Sequence, residues 1–208
     1  MKIWSHSFKE GSAIPGDNAF AVADPATHVR LAGNRNPHLA WDDIPAGTAS
    51  LVLLCIDGDA PTVGTDVNKE GRTLPVDLPR GDFYHWALVD IPADVSTLAA
   101  GAYSSEVTPK GKPGPAIPGS AMRQGLNDYT GWFAEDPDMA GDYFGYDGPC
   151  PPWNDERVHH YIFRLYALDI EHLPVSGRFT AQDVLAAMHG HIVDEAQLIG
   201  TYTLKAAN

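Results

Sequence analysis

Ser50-Leu51-Val52-Leu53-Leu54-Cys55-Ile56 is an unbroken apolar run of strand length, preceded by Ala46-Gly47-Thr48 and followed at once by Asp57-Gly58-Asp59-Ala60-Pro61. Six apolar residues in a row after Ser50, closed on both sides by turn formers, read as a buried central strand. By itself the Asp-Gly-Asp-Ala-Pro segment is ordinary Asx-turn chemistry with a solvated acid. At the end of a buried strand it also delivers carboxylates to a rigid corner. A sharp turn that carries an acid back toward a pocket is the usual setting for a cis proline, so the Ala60–Pro61 bond is expected to be cis.

Working outward, Tyr84-His85-Trp86-Ala87-Leu88-Val89-Asp90-Ile91 is rich in aromatic and branched residues and stops at Pro92, which cannot donate to a sheet ladder. A third strand is expected over His159–Leu168, with His159, Tyr161, Phe163 and Leu165 on one face and His160, Ile162, Arg164 and Tyr166 on the other. Thr180-Ala181-Gln182-Asp183 has the spacing of a capped helix start, continued by Val184, Leu185 and Met188 and ending near Gly190. Gln197–Leu204 reads as a closing strand. Two long stretches, Thr62–Phe83 and Ser104–Arg157, are irregular and rich in Gly, Pro, Asp and Asn; loops of such length carry function or conceal short elements. Within the second, Trp132 and Phe133 either mark an interface or pin the loop to the core.

The 208 residues carry 44% hydrophobic content, with 17 Pro and 20 Gly, as one loop-rich, β-dominated domain spanning 1–208 would. Twenty-seven acids against 14 Lys and Arg give a net charge of -13, a field that repels polyphosphates, so nucleic acid is excluded as a partner. No run resembles a signal peptide or approaches the roughly 20 apolar residues of a membrane span, and cytoplasmic residence without integral membrane association is expected. Cys55 and Cys150 are read as free thiols.

Three motifs place polar groups at strand ends: Asp57-Gly58-Asp59-Ala60-Pro61, His85 within its Trp-containing strand, and Gly148-Pro149-Cys150-Pro151-Pro152, a stiff wall leading through Trp153–Arg157 into His159-His160-Tyr161. A lone half-buried His is more often a hydrogen-bonded core residue than a site residue. Adjacent histidines point to opposite faces, so only one of His159 and His160 can share a pocket with Asp57 and His85.

The order of these motifs resembles the phosphatidylethanolamine-binding proteins, in particular the bacterial Raf kinase inhibitor-like branch. Asn36-Pro37-His38-Leu39-Ala40-Trp41 and Gly125-Leu126-Asn127-Asp128 add to the likeness, which runs from about Pro37 to Leu204. The chain departs from that pattern at Gly58, where many members have Pro, at His160, which takes the place of a frequent Arg, and at Met139–Tyr143, which looks like an insertion.

The resemblance implies a mostly β fold, a large antiparallel sheet packed on a smaller one with peripheral helices. It also implies a pocket for a small anionic or phosphorylated group, made by Asp57, Asp59, Pro61, His85, Pro151, His159 and Tyr161, with no metal and no cofactor. Imidazole N–H groups and the Tyr161 hydroxyl are suited to donate to an anion, while Asp57 accepts from a histidine or meets the ammonium of a zwitterion. The resemblance further allows a kinase-inhibitor-like role and implies a homodimer, neither of which any motif encodes. The expected protein is therefore a binding or regulatory module and not an enzyme. The alternative is a hydrolase using Asp57, His85 and His159 as metal ligands or as an acid/base pair; against it, no nucleophile elbow and no His-Glu-x-x-His helix is present.

Overall fold

The structure is a computed structural model and describes residues 1–205. Along the chain run β1 (Lys2–Trp4), β2 (Ala21–Asp24), β3 (His28–Leu31), β4 (Leu39–Asp42), β5 (Ser50–Pro61), β6 (Arg80–Pro92), β7 (Thr97–Leu98) and β8 (Arg123–Gln124). Helix α1 (Tyr129–Trp132), β9 (His159–Leu168), α2 (Ala181–Met188) and β10 (Ile192–Tyr202) complete the order.

The apolar run opens β5, which lies at the centre of a five-stranded antiparallel sheet ordered β10-β9-β5-β6-β8. Alternation gives β5 two buried faces. Leu51, Leu53 and Cys55 pack with Trp86 and Leu88 of β6 and Phe163 and Leu165 of β9 against Leu39 and Trp41 of β4 and Leu98 of β7, so the small sheet β1-β4-β7 covers one face. On the other face Val52, Leu54 and Ile56 meet Val184 and Met188 of α2. Burying each such side chain is worth about 1.5–3 kcal/mol. Because both faces are covered, the strand reads as continuous hydrophobicity and not as alternation. The separate hairpin β2–β3 adds a wall at one end.

Helix α2 starts as its sequence predicts. The Thr180 hydroxyl accepts from the Asp183 N–H, and the Asp183 carboxylate accepts from the Thr180 N–H at 2.8 Å, a complete capping box.

Several boundaries differ from the sequence expectations. Strand β5 does not end at Ile56 but continues through Pro61, because Ala60 and Pro61 still pair with Gly81 and Arg80 of β6. The Asp-Gly-Asp segment is thus a bulge inside a strand pair, not a turn beyond it. The Ala60–Pro61 bond is trans; the cis bond among the described residues is Gly114–Pro115. Without a reversal at Pro61, no cis corner is needed. Strand β10 begins at Ile192, five residues before the expected start, because its whole length pairs with β9. The long stretch 104–157 conceals β8 and α1, and Trp132 and Phe133 divide: Phe133 packs into a small aromatic core with Phe20, Tyr129 and Tyr143, whereas Trp132 is exposed. Met139 and Tyr143, in the apparent insertion, belong to the same small core. Both cysteines are free thiols.

Candidate ligand-binding site

Register decides which side chains meet. Asp57 of β5 stands opposite Tyr161 of β9, and His159, two residues away on the same face as Tyr161, reaches back to Asp57. His159 Nδ1 donates to Asp57 Oδ2 at 2.7 Å, and Nε2 donates to Asp155 Oδ2 at 3.1 Å. Carboxylates accept, so the ring donates from both nitrogens as an imidazolium. Burial by itself would depress the pKa of His159, but the hydrogen bonds and charges of Asp57 and Asp155 outweigh it and raise the value. Asp155 is in turn gripped by Arg80 through two N–H···O contacts, Nη1 to Oδ2 at 2.5 Å and Nη2 to Oδ1 at 3.0 Å. Burial favours its neutral form, yet Arg80, the Arg157 N–H and His159 together hold its carboxyl below the ordinary range. Arg80, Asp155, His159 and Asp57 therefore form a buried row of alternating charge that sums to zero.

His85 arrives by another device. On β6, Trp86 pairs with Cys55 and Tyr84 with Ile56, so two steps on one strand match one step on the other and His85 is the bulged residue. Its Nδ1 donates to the Asp147 carbonyl at 2.8 Å. A carbonyl only accepts, which fixes the tautomer: in the neutral ring Nε2 carries a lone pair. No hydrogen bond among the described residues uses Nε2. Burial lowers the pKa of His85, against the opposing charges of Asp57 and Asp147. Asp147 is itself immobilised, its carboxylate accepting from Lys112 Nζ at 2.9 Å and from Asn34 and Asn127 Nδ2 at 2.7 Å each.

The proline wall is anchored through its main chain. Gly148 N–H donates to Asn34 Oδ1 and Gly148 C=O accepts from the Tyr129 hydroxyl, both at 2.8 Å, and Pro149 C=O accepts from Phe20 N–H at 3.0 Å. Gly148 is required sterically, since a Cβ there would lie 2.2 Å from the Asn18 carbonyl oxygen. From 149 to 152 three of four residues are proline, so the wall has one main-chain donor, the Cys150 N–H, which has no acceptor among the described residues.

These parts enclose a cavity of about 240 Å³. Of the residues expected from sequence, Asp57, Pro61, His85, Pro151 and His159 line it; Asp59 and Tyr161 do not. The bulge turns Asp59 aside, where its carboxylate accepts from His160 N–H at 2.9 Å, His160 Nδ1 at 2.8 Å and Arg157 Nε at 2.9 Å. His160 thus lies on the opposite face from His159, half-exposed. Tyr161 is wholly buried, its ring edge-on to His85 with centroids 5.2 Å apart and its hydroxyl without a hydrogen-bond partner. Burial and the Asp57 carboxylate push this phenol well above its ordinary value. Arg80, Asp147, Asp155 and the Cys150 amide were not anticipated. Asp155 had a signal, lying four residues before His159; Arg80 and Asp147 had none.

The sequence profile of the phosphatidylethanolamine-binding protein family matches residues 4–203. The chain belongs to that family. Relatives include a UPF0098 protein of Methanothermobacter thermautotrophicus, 32% identical over 97% of this chain and 98% of its own. UPF0098 protein YbhB of Escherichia coli is 30% identical over 98% of this chain and all of its own length. The fold is shared with the crystal structure of Escherichia coli YbcL, a member of the mammalian PEBP family, at a TM-score of 0.69 with 98% of both chains covered and 24% identity.

Within this family fold the floor of the cavity has little left to give as a metal site. Both nitrogens of His159 are committed to carboxylates, and among the described residues no three His, Cys, Asp or Glu side chains are grouped as metal ligands would be. Nor does any helix among them have the length and apolarity to cross a membrane.

Proposed function

We propose that this member of the family is a ligand-binding protein whose cavity takes a small molecule through an anionic, phosphoryl or carboxyl, group set against His85. The observation that carries this reading is the pair of uncommitted polar groups on residues that line one cavity, His85 Nε2 and the lone N–H of the proline wall at Cys150. His159 contributes no donor to the ligand, since both of its N–H groups are spent. Its role is to neutralise and fix Asp57, which would otherwise repel an anion.

Nε2 is an acceptor until the ring is protonated, so an anion must bind together with a proton. Relative to neutral His85 and the phosphate dianion the complex holds one more proton, whereas a phosphate monoanion brings that proton with it. Calorimetric titration of inorganic phosphate and phosphoethanolamine in two buffers of different ionisation enthalpy tests this. The expected result is uptake approaching one proton at pH 8, where the free phosphate is mainly dianion, less at lower pH, and affinity that falls as pH rises. His85→Ala should weaken binding roughly ten- to a hundredfold, the loss of one charge-assisted hydrogen bond. Cys150→Pro, which deletes the amide hydrogen, should weaken it while Cys150→Ala does not. Affinity unchanged in His85→Ala would place the anion elsewhere, and steady hydrolysis of a phosphoester lost in the same variant would make the protein an enzyme.

A further inference from the structure

We infer that the ligand is an aryl-substituted anion, a phosphomonoester or carboxylate bearing one aromatic ring, and not a free inorganic anion. This rests on the anion reading above and adds the other half of the molecule.

The cavity is much larger than its polar end requires. About 240 Å³ is many times the roughly 10–15 Å³ needed by one water, so a five-atom anion at His85 leaves most of it unfilled. The remainder is mostly apolar, with aliphatic side chains such as Val29 and Val67 beside a cluster of aromatic rings. Tyr129 stacks on Phe20 and on Phe133, with centroids 4.7 and 5.4 Å apart and planes within 17° and 16°, and Phe20 and Phe133 close the cluster at 5.9 Å. Phe83 meets Tyr129 edge-on at 5.3 Å, and all four rings line the cavity.

The mouth continues the same chemistry. Leu31 and Trp132 are 58% and 54% exposed, among the most exposed large apolar side chains of the protein, and both border this cavity. They stand on different elements, β3 and α1, so their convergence is a product of the fold and not of one apolar segment. An aromatic substituent gains from offset-stacked and edge-on contacts beyond the area it buries, and a rigid ring loses little conformational freedom on entering walls already fixed by stacking and proline. A flexible alkyl chain of equal carbon number pays that entropy. A polar substituent forfeits the apolar contact.

The test is calorimetric titration near pH 5.5 with four probes: inorganic phosphate, phenyl phosphate, n-hexyl phosphate and glycerol 1-phosphate. Phenyl phosphate is expected to bind at least about tenfold tighter than each of the other three. Trp132→Ala should weaken phenyl phosphate at least about threefold more than inorganic phosphate, which also separates the mouth from the floor. Equal affinity of phenyl and inorganic phosphate would overturn the inference while leaving the anion reading standing. Equal affinity of phenyl and n-hexyl phosphate would overturn the aromatic assignment. Binding of none of the four would remove the anion reading itself.

Discussion

His85 and Asp147 exchange two hydrogen bonds, ring Nδ1–H to the Asp147 carbonyl at 2.8 Å and Asp147 N–H to the His85 carbonyl at 3.1 Å. The second locks the two main chains, and the first then decides which ring nitrogen faces the cavity. Residues 62 apart in sequence are thereby made into one unit.

That arrangement separates the two site histidines in titration. His85, depressed mainly by burial, should be neutral at pH 7 and titrate below its ordinary value of 6.5, whereas His159, raised by Asp57 and Asp155, should titrate above it. Ring-proton or ring-nitrogen chemical shifts followed from pH 4 to 9 would resolve both. The reverse order would contradict the tautomer assigned to His85.

His159→Gln should cost roughly 3–5 kcal/mol of folding stability, because it leaves Asp57 and Asp155 buried without the charge between them. The sign with pH follows from a folded pKa above the unfolded value. The stability contributed by His159 is complete below about pH 6.5 and is lost as pH rises through the raised folded value. Urea unfolding at pH 5.5, 7 and 9 should accordingly show the gap between wild type and variant narrowing at alkaline pH.

Arg80 supports the row from its far end, and it also donates to the carbonyls of Asp59 at 3.0 Å, Pro75 at 2.9 Å and Leu78 at 3.2 Å. Lysine cannot reproduce this fork, so Arg80→Lys should recover little of the roughly 3–5 kcal/mol lost in Arg80→Ala. Denaturant midpoints of the two variants check it, and the pKa of His159 in Arg80→Ala should rise further as Asp155 loses its competing cation.

Neither thiol should behave as a reactive cysteine. Burial pushes Cys150 up to about 12 and Cys55 well above its ordinary range, so the thiolate fraction at pH 8 is very small. A chromogenic disulfide reagent should titrate close to no thiol in the native protein and two after unfolding. Rapid native labelling of Cys150 would show its thiol open to solvent.

The centre of the fold was legible because its signals are local. A six-residue apolar run, a Pro-terminated aromatic strand, ten alternating residues and a capping box each specify their element without help from the rest of the chain. The strands before Ser50 were not, since β1–β4 are three or four residues long and acquire their faces only by packing on the large sheet. Asp57, His85 and His159 were legible as strand-end polar groups that line a common cavity. Asp59 and Tyr161 entered through the family resemblance; the bulge between Asp57 and Ala60 turns Asp59 aside, and Tyr161 is wholly buried within the sheet. Asp147 and Arg80 could not be found, because what singles them out is whom they hold across 62 and 75 residues.

Three prolines in four residues have a consequence for hydration. A water resting on that wall finds the Cys150 amide as its sole main-chain donor, and most other surfaces of the cavity are apolar, where a well-held water wants two to four polar partners. Water there is poorly anchored and leaves readily, which makes its displacement a gain and not a cost. The wall thus keeps the pocket ready to dry: rigidity sets its shape, and poverty of donors sets how easily an incoming molecule empties it.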